Sequence, residues 1–80
     1  MNFKKITKAQ ARKLYLNFKP FIMAASKVNP DSIFAARIDE HVNRDFTTDA
    51  DFEALVNEFR YYNCGYPETG RGVTFYVEVA

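Results

Sequence analysis

Two stretches of the chain repeat their apolar residues at helical spacing, and three shorter stretches read as strands. Ala11, Leu14, Tyr15 and Phe18 follow the i, i+3, i+4, i+7 pattern of one buried helix face. Thr7 stands before them with Gln10 three residues on, the spacing of a capping box. Ile6, just outside the cap, is placed to pack on Ala11 as a hydrophobic staple. Pro20 disfavours a helical conformation at Lys19, so this first helix is predicted to end near Phe18. The second helical stretch carries Phe52, Leu55, Val56, Phe59 and Tyr62 as its predicted buried stripe. Thr48 is its predicted cap, and Asp49 and Asp51 place negative charge at its positive end. Asn63, Cys64 and Gly65 close it, with Gly65 as a left-handed cap.

Between the helices, residues 21–26 are short, apolar and uncharged, which predicts a central strand. Asn29-Pro30-Asp31-Ser32 predicts a turn, because proline presets φ at its second position and asparagine suits its first. Residues 32–38 then predict a second strand, paired to the first as a hairpin. Residues 39–47 are polar and acidic and read as a loop, as do residues 66–72 with Pro67, Gly70 and Gly72. Residues 73–79 alternate: Val73, Phe75, Val77 and Val79 on one face, Thr74, Tyr76 and Glu78 on the other.

These elements predict one α+β domain over residues 1–80, in the order αββαβ. A helical crossover makes the second and third strands parallel, so both lie antiparallel to the first. The sheet expected is three-stranded and antiparallel, in the order 2-1-3. Both helices are expected on one face, leaving Thr74, Tyr76 and Arg37 on the other.

Composition narrows the function more than it defines it. A chain of 80 residues buries a small core, which disfavours a long cleft around a cofactor, and none is expected. No apolar run is long enough to span a bilayer, and the charged beginning lacks the apolar stretch of a signal peptide. With a single cysteine there is no disulfide framework, and a cytoplasmic location is expected. One His and one Cys make no zinc site. The net charge of +1 hides a strong order: seven basic residues and no acid precede residue 31, and ten acids with four basics follow. Such asymmetry suits a charged partner, or a basic helix laid against an acidic one within the fold.

No residue set amounts to a catalytic site, and an enzyme is not expected. Cys64 sits near a helix C-terminus, where the dipole opposes a thiolate. His41 beside Asp39 and Glu40 has the parts of a minimal general base, but reads as a solvated loop residue. The acids Asp39, Glu40, Asp45, Asp49, Asp51 and Glu53 lack the spacing and central glycine of a calcium loop. They form either a solvated edge or a dock for a basic protein surface. Tyr61, Tyr66 and Tyr76 exceed what so small a core can hold, and with Arg71 they are residue types enriched at binding hot spots. Lys4, Lys5, Lys8, Arg12 and Lys13 provide an alternative, nucleic-acid-binding surface. The chain lacks the GXXG loop of a KH domain and the paired aromatic motifs of an RRM.

The segment Phe3-Lys-Lys-Ile-Thr-Lys-Ala-Gln-Ala-Arg-Lys-Leu-Tyr15, with Asp51-Phe-Glu-Ala-Leu-Val-Asn-Glu-Phe-Arg-Tyr-Tyr-Asn-Cys64 and Glu68-Thr-Gly-Arg71, resembles small orphan proteins of phages and mobile elements of Gram-positive bacteria. Some proteins of that kind block host defences, including anti-CRISPR proteins that bind a Cas effector. The resemblance therefore implies a stoichiometric protein-binding inhibitor with a host-defence effector as partner; separately, an exposed edge strand able to pair with its copy makes either a monomer or a homodimer expected. The resemblance assigns no binding residue. The acidic 39–53 edge and the tyrosine surface remain the two expected places for such a partner.

Overall fold

The structure is a computed structural model that describes residues 2–39 and 48–79. Its elements run β1 (Asn2–Ile6), α1 (Lys8–Leu16), β2 (Phe21–Ala25), β3 (Ala36–Ile38), α2 (Asp49–Asn63) and β4 (Val73–Val79). The fold is α+β, as expected, but its sheet has four strands rather than three, in the order β1-β4-β2-β3. Every neighbouring pair is antiparallel. The three expected strands do pair in their expected order, β3-β2-β4. The addition is β1, which lies outside β4 with Asn2 opposite Val79 and Ile6 opposite Phe75.

Local chemistry fixes both helices. The Thr7 hydroxyl accepts from the Gln10 backbone N–H, and the Gln10 side chain accepts from Thr7 N–H at 2.8 Å. Thr48 and Asp51 form the same reciprocal box at the start of α2. Helix α1 ends at Leu16, two residues before the expected Phe18. Phe18 is instead left-handed, with φ 58°; its N–H donates to Tyr15 O and that of Lys19 to Leu14 O. This is a Schellman turn with phenylalanine where glycine is usual. It turns the chain before Pro20, and it leaves Phe18 half exposed rather than buried.

The predicted turn at Asn29 forms, with Ser32 N–H donating to Asn29 O at 3.0 Å. The expected strand at 32–38 is corrected to Ala36–Ile38. Ser32 opens a second turn: its carbonyl accepts from Ala35 N–H and its hydroxyl from Phe34 N–H. Hydroxyl-to-backbone bonds of this kind compete with a strand ladder, so residues 32–35 never extend. Ile33 and Phe34 are consequently exposed. Of the expected 39–47 loop, only Asp39 belongs to the described residues; Glu40, His41 and Asp45 lie outside them.

Both helices contact the sheet and each other. Phe21, Met23 and Ala25 of β2 and Phe75 of β4 meet Ala11, Phe52, Val56 and Phe59 in the core. Phe52 sits at its centre, within ring contact of Tyr15, Phe21 and Phe75. On the other sheet face Ile22 and Ala24 are buried too. There Pro30, Ser32 and Ala35 share a hollow with Phe3, Ile22 and Arg37, so the β2–β3 connection partly covers a face expected to be open. Arg37 pairs with Glu78 on that same face.

Candidate protein-binding surface

Part of the opposed charge of the sequence meets at the surface where α1 lies beside α2. Lys8 Nζ lies 2.9 Å from a Glu53 carboxylate oxygen, and Arg12 Nε lies 4.0 Å from Asp49. Asp51 is the other half of the Thr48 cap. Three of the expected acidic dock residues thus face α1 or their own helix end, and Asp39 is half-buried. On the basic side, Lys8 and Arg12 are turned to α2. Lys4 and Lys5 occupy successive positions of β1 and so point to opposite sheet faces. Lys13, in the last turn of α1, is exposed. Among the described residues, the geometry therefore divides both charged segments.

The tyrosines divide as well. Tyr76 is half-buried on the sheet face away from the helices, opposite Lys5 and Ile22. Arg71 is exposed in the loop before β4. Tyr61 and Tyr66 are 78% and 55% exposed, and two more rings join them: Tyr62 at 66%, expected in the buried stripe, and Phe34 at 68%, from the part of the expected 32–38 strand that does not form. Tyr62 is a correction to the predicted stripe of α2. The stripe holds at Phe52, Val56 and Phe59, but among the described residues the last turn has beside it the short strand β3, Val28 and Phe34 of the β2–β3 connection and the 66–70 turn, which leave Tyr62 exposed.

Each aromatic rests on a firm support. Tyr61 and Tyr62 sit in the last turn of α2, with ring centroids 5.0 Å apart in an edge-to-face pair. Gly65, at φ 96°, turns the chain out of the helix. Residues 66–70 then close on themselves: Thr69 and Gly70 N–H groups donate to Tyr66 O, and Tyr66 N–H donates to the Thr69 hydroxyl. Phe34 is set by the Ser32 turn. Two hollows lie between these supports. One, of about 240 Å³, opens between β3 and α2 and is lined by Ala36, Ile38, Leu55, Glu58, Phe59 and Tyr62. Its neighbour, of about 260 Å³, is lined by Val28, Phe34, Tyr62, Tyr66, Glu68 and Thr69. Tyr62 and Asn63 border both.

The sequence indicates surface positions for Tyr61 and Tyr66, and it does not reveal the exposure of Tyr62 and Phe34. The available signal was local: Tyr62 immediately precedes the helix-closing Asn63-Cys64-Gly65, and Phe34 follows Ser32 two residues on. Cys64 is buried, and its thiol donates to Gly72 O at 3.7 Å. Burial pushes that thiol above the ordinary cysteine range, with Arg60 pulling more weakly the other way. Among the described residues, no three His, Cys, Asp or Glu side chains gather as a metal site. None of the described helices is long and apolar enough to cross a membrane. No protein family, curated protein or solved structure matches the chain.

Proposed function

We propose that this chain is a protein-binding module whose contact surface is the aromatic face formed by Phe34, Tyr61, Tyr62 and Tyr66. One observation carries the reading: four large aromatic side chains are each more than half exposed, three of them (Phe34, Tyr62 and Tyr66) lining two adjoining hollows and Tyr61 paired to Tyr62 beside them. Exposed apolar surface of this kind marks interaction sites, and tyrosine is among the residues that dominate binding energy. Tyrosine also loses little rotamer freedom on contact, and the helix end and the bonded turns fix the backbone that carries these rings. The resemblance to phage and mobile-element proteins makes a host-defence effector the first partner to try, blocked by stoichiometric binding in the cytoplasm.

The test compares affinity capture from host cells by the wild-type chain and by the Tyr62→Ala/Tyr66→Ala variant, read by mass spectrometry. The reading expects a partner that the wild type retains and this variant loses, while Lys4→Glu/Lys5→Glu still retains it. A partner held equally by the tyrosine variant would remove the aromatic face from the account.

A further inference from the structure

The two hollows beside α2 share more than an aromatic wall. Each carries one glutamate, Glu58 in the hollow against β3 and Glu68 in the hollow against Phe34. Among the described residues, neither carboxylate takes part in an ion pair. Two cations close to them in the chain or the fold have other partners: Lys27 Nζ donates to Pro67 O at 3.2 Å, and Arg60 donates to Asn57 Oδ1 at 3.1 Å, while Arg71 is exposed and forms no ion pair among the described residues. An exposed tyrosine ring and an unpaired carboxylate thus line each hollow, with Tyr62 common to both.

We propose that these hollows receive an arginine-bearing, extended segment of a protein partner, with guanidinium groups stacked on Tyr62 and Tyr66 and paired to Glu58 and Glu68. The inference rests on the protein-binding reading of the same face and names the chemistry of its partner. Arginine fits better than lysine. Its planar, weakly hydrated guanidinium stacks on aromatic faces while its N–H groups reach a carboxylate. An ammonium is more strongly hydrated and offers no plane to stack. The apolar parts of the hollows, Ile38 and Leu55 in one and Val28 and Phe34 in the other, suit the aliphatic stem of arginine and an apolar neighbour.

The experiment is a fluorescence-anisotropy titration of the full chain against a short labelled peptide in which arginine alternates with leucine. Matched peptides carry citrulline or lysine at the arginine positions. The arginine peptide is expected to bind, and the citrulline peptide to bind roughly tenfold more weakly, through loss of a cation–π contact and a surface ion pair. The lysine peptide is expected between them. Glu58→Gln/Glu68→Gln should weaken the arginine peptide and flatten its salt dependence, and Tyr62→Ala/Tyr66→Ala should abolish its binding. All four positions are exposed, and the glutamine variant changes charge without shape, so circular dichroism should show an unchanged fold. Failure of the arginine peptide to bind would overturn the proposal, as would equal binding of the citrulline peptide. Indifference to Glu58→Gln/Glu68→Gln would do the same. If a captured partner still depends on Tyr62 and Tyr66 while the arginine peptide fails, only this inference falls. If capture ignores those tyrosines, the protein-binding reading falls with it.

Discussion

Truncating Phe52 to alanine should remove a large part of the stability of the whole domain. Phe52 is fully buried, and its ring centroid lies 5.7 Å from that of Tyr15, 6.2 Å from Phe21 and 6.2 Å from Phe75. One side chain thus ties α2 to α1, β2 and β4. Phenylalanine-to-alanine changes at such sites cost about 3–5 kcal/mol, the transfer loss plus the cavity left behind. A domain of this length has only about 4–12 kcal/mol in total, at the usual stability per residue. The variant should therefore lose between roughly a quarter of its stability and all of it. Urea unfolding followed by far-ultraviolet circular dichroism measures this as a shift of the midpoint. Tyr61→Ala is the control, because an exposed ring should cost less than about 0.5 kcal/mol. If Phe52→Ala costs less than about 1 kcal/mol, or no more than Tyr61→Ala, the core does not centre on this ring and the packing argument fails.

The caps give a second test: Thr7→Ala and Thr48→Ala should each cost about 1 kcal/mol in the same urea assay. The left-handed positions give a third, with opposite signs. Phe18→Gly should stabilise by up to about 1 kcal/mol, because φ 58° strains any residue with a Cβ. Gly70→Ala should destabilise by more than about 1 kcal/mol, since it adds that strain at φ 79° and drives a Cβ into the Ser26 hydroxyl. The fourth concerns Cys64, whose folded thiol titrates above its unfolded one because burial disfavours the thiolate. Its contribution to stability is complete below the unfolded pKa and declines as pH rises through and beyond it. Iodoacetamide at mildly alkaline pH should accordingly label the native thiol far more slowly than the urea-unfolded one, and equal rates would contradict its burial.

The fold was legible where several local signals agreed. Thr7 with Gln10 and Thr48 with Asp51 each announce a helix start that a buried stripe then continues. Residues 21–25 and 73–79 had the composition and alternation of strands, and their pairing followed from the crossover. β1 was not legible, because Phe3 and Ile6 break the period of two and Lys4-Lys5 reads as a charged lead-in. An edge strand needs only one paired side, and β4 supplies it. The shortening of β3 was hidden for a related reason. Ile33 and Phe34 look like strand residues, but the Ser32 hydroxyl and carbonyl bind the backbone into a turn. The same bias hid half of the aromatic face. Tyr62 fits the helical spacing of the buried stripe and Phe34 the alternation of a 32–38 strand, whereas β3 begins only at Ala36. The charge asymmetry was legible in full, and the ion pairs Lys8–Glu53 and Arg12–Asp49 show where part of it goes.

The central claim is that partners meet this protein on its aromatic face. Site-specific photocrosslinking tests it most directly, with a benzoylphenylalanine placed at Tyr62 in one variant and at the exposed Lys13 in another. After irradiation in host cells, the account predicts a discrete covalent adduct from position 62 and none from position 13. An adduct from position 13 with none from position 62 would contradict it.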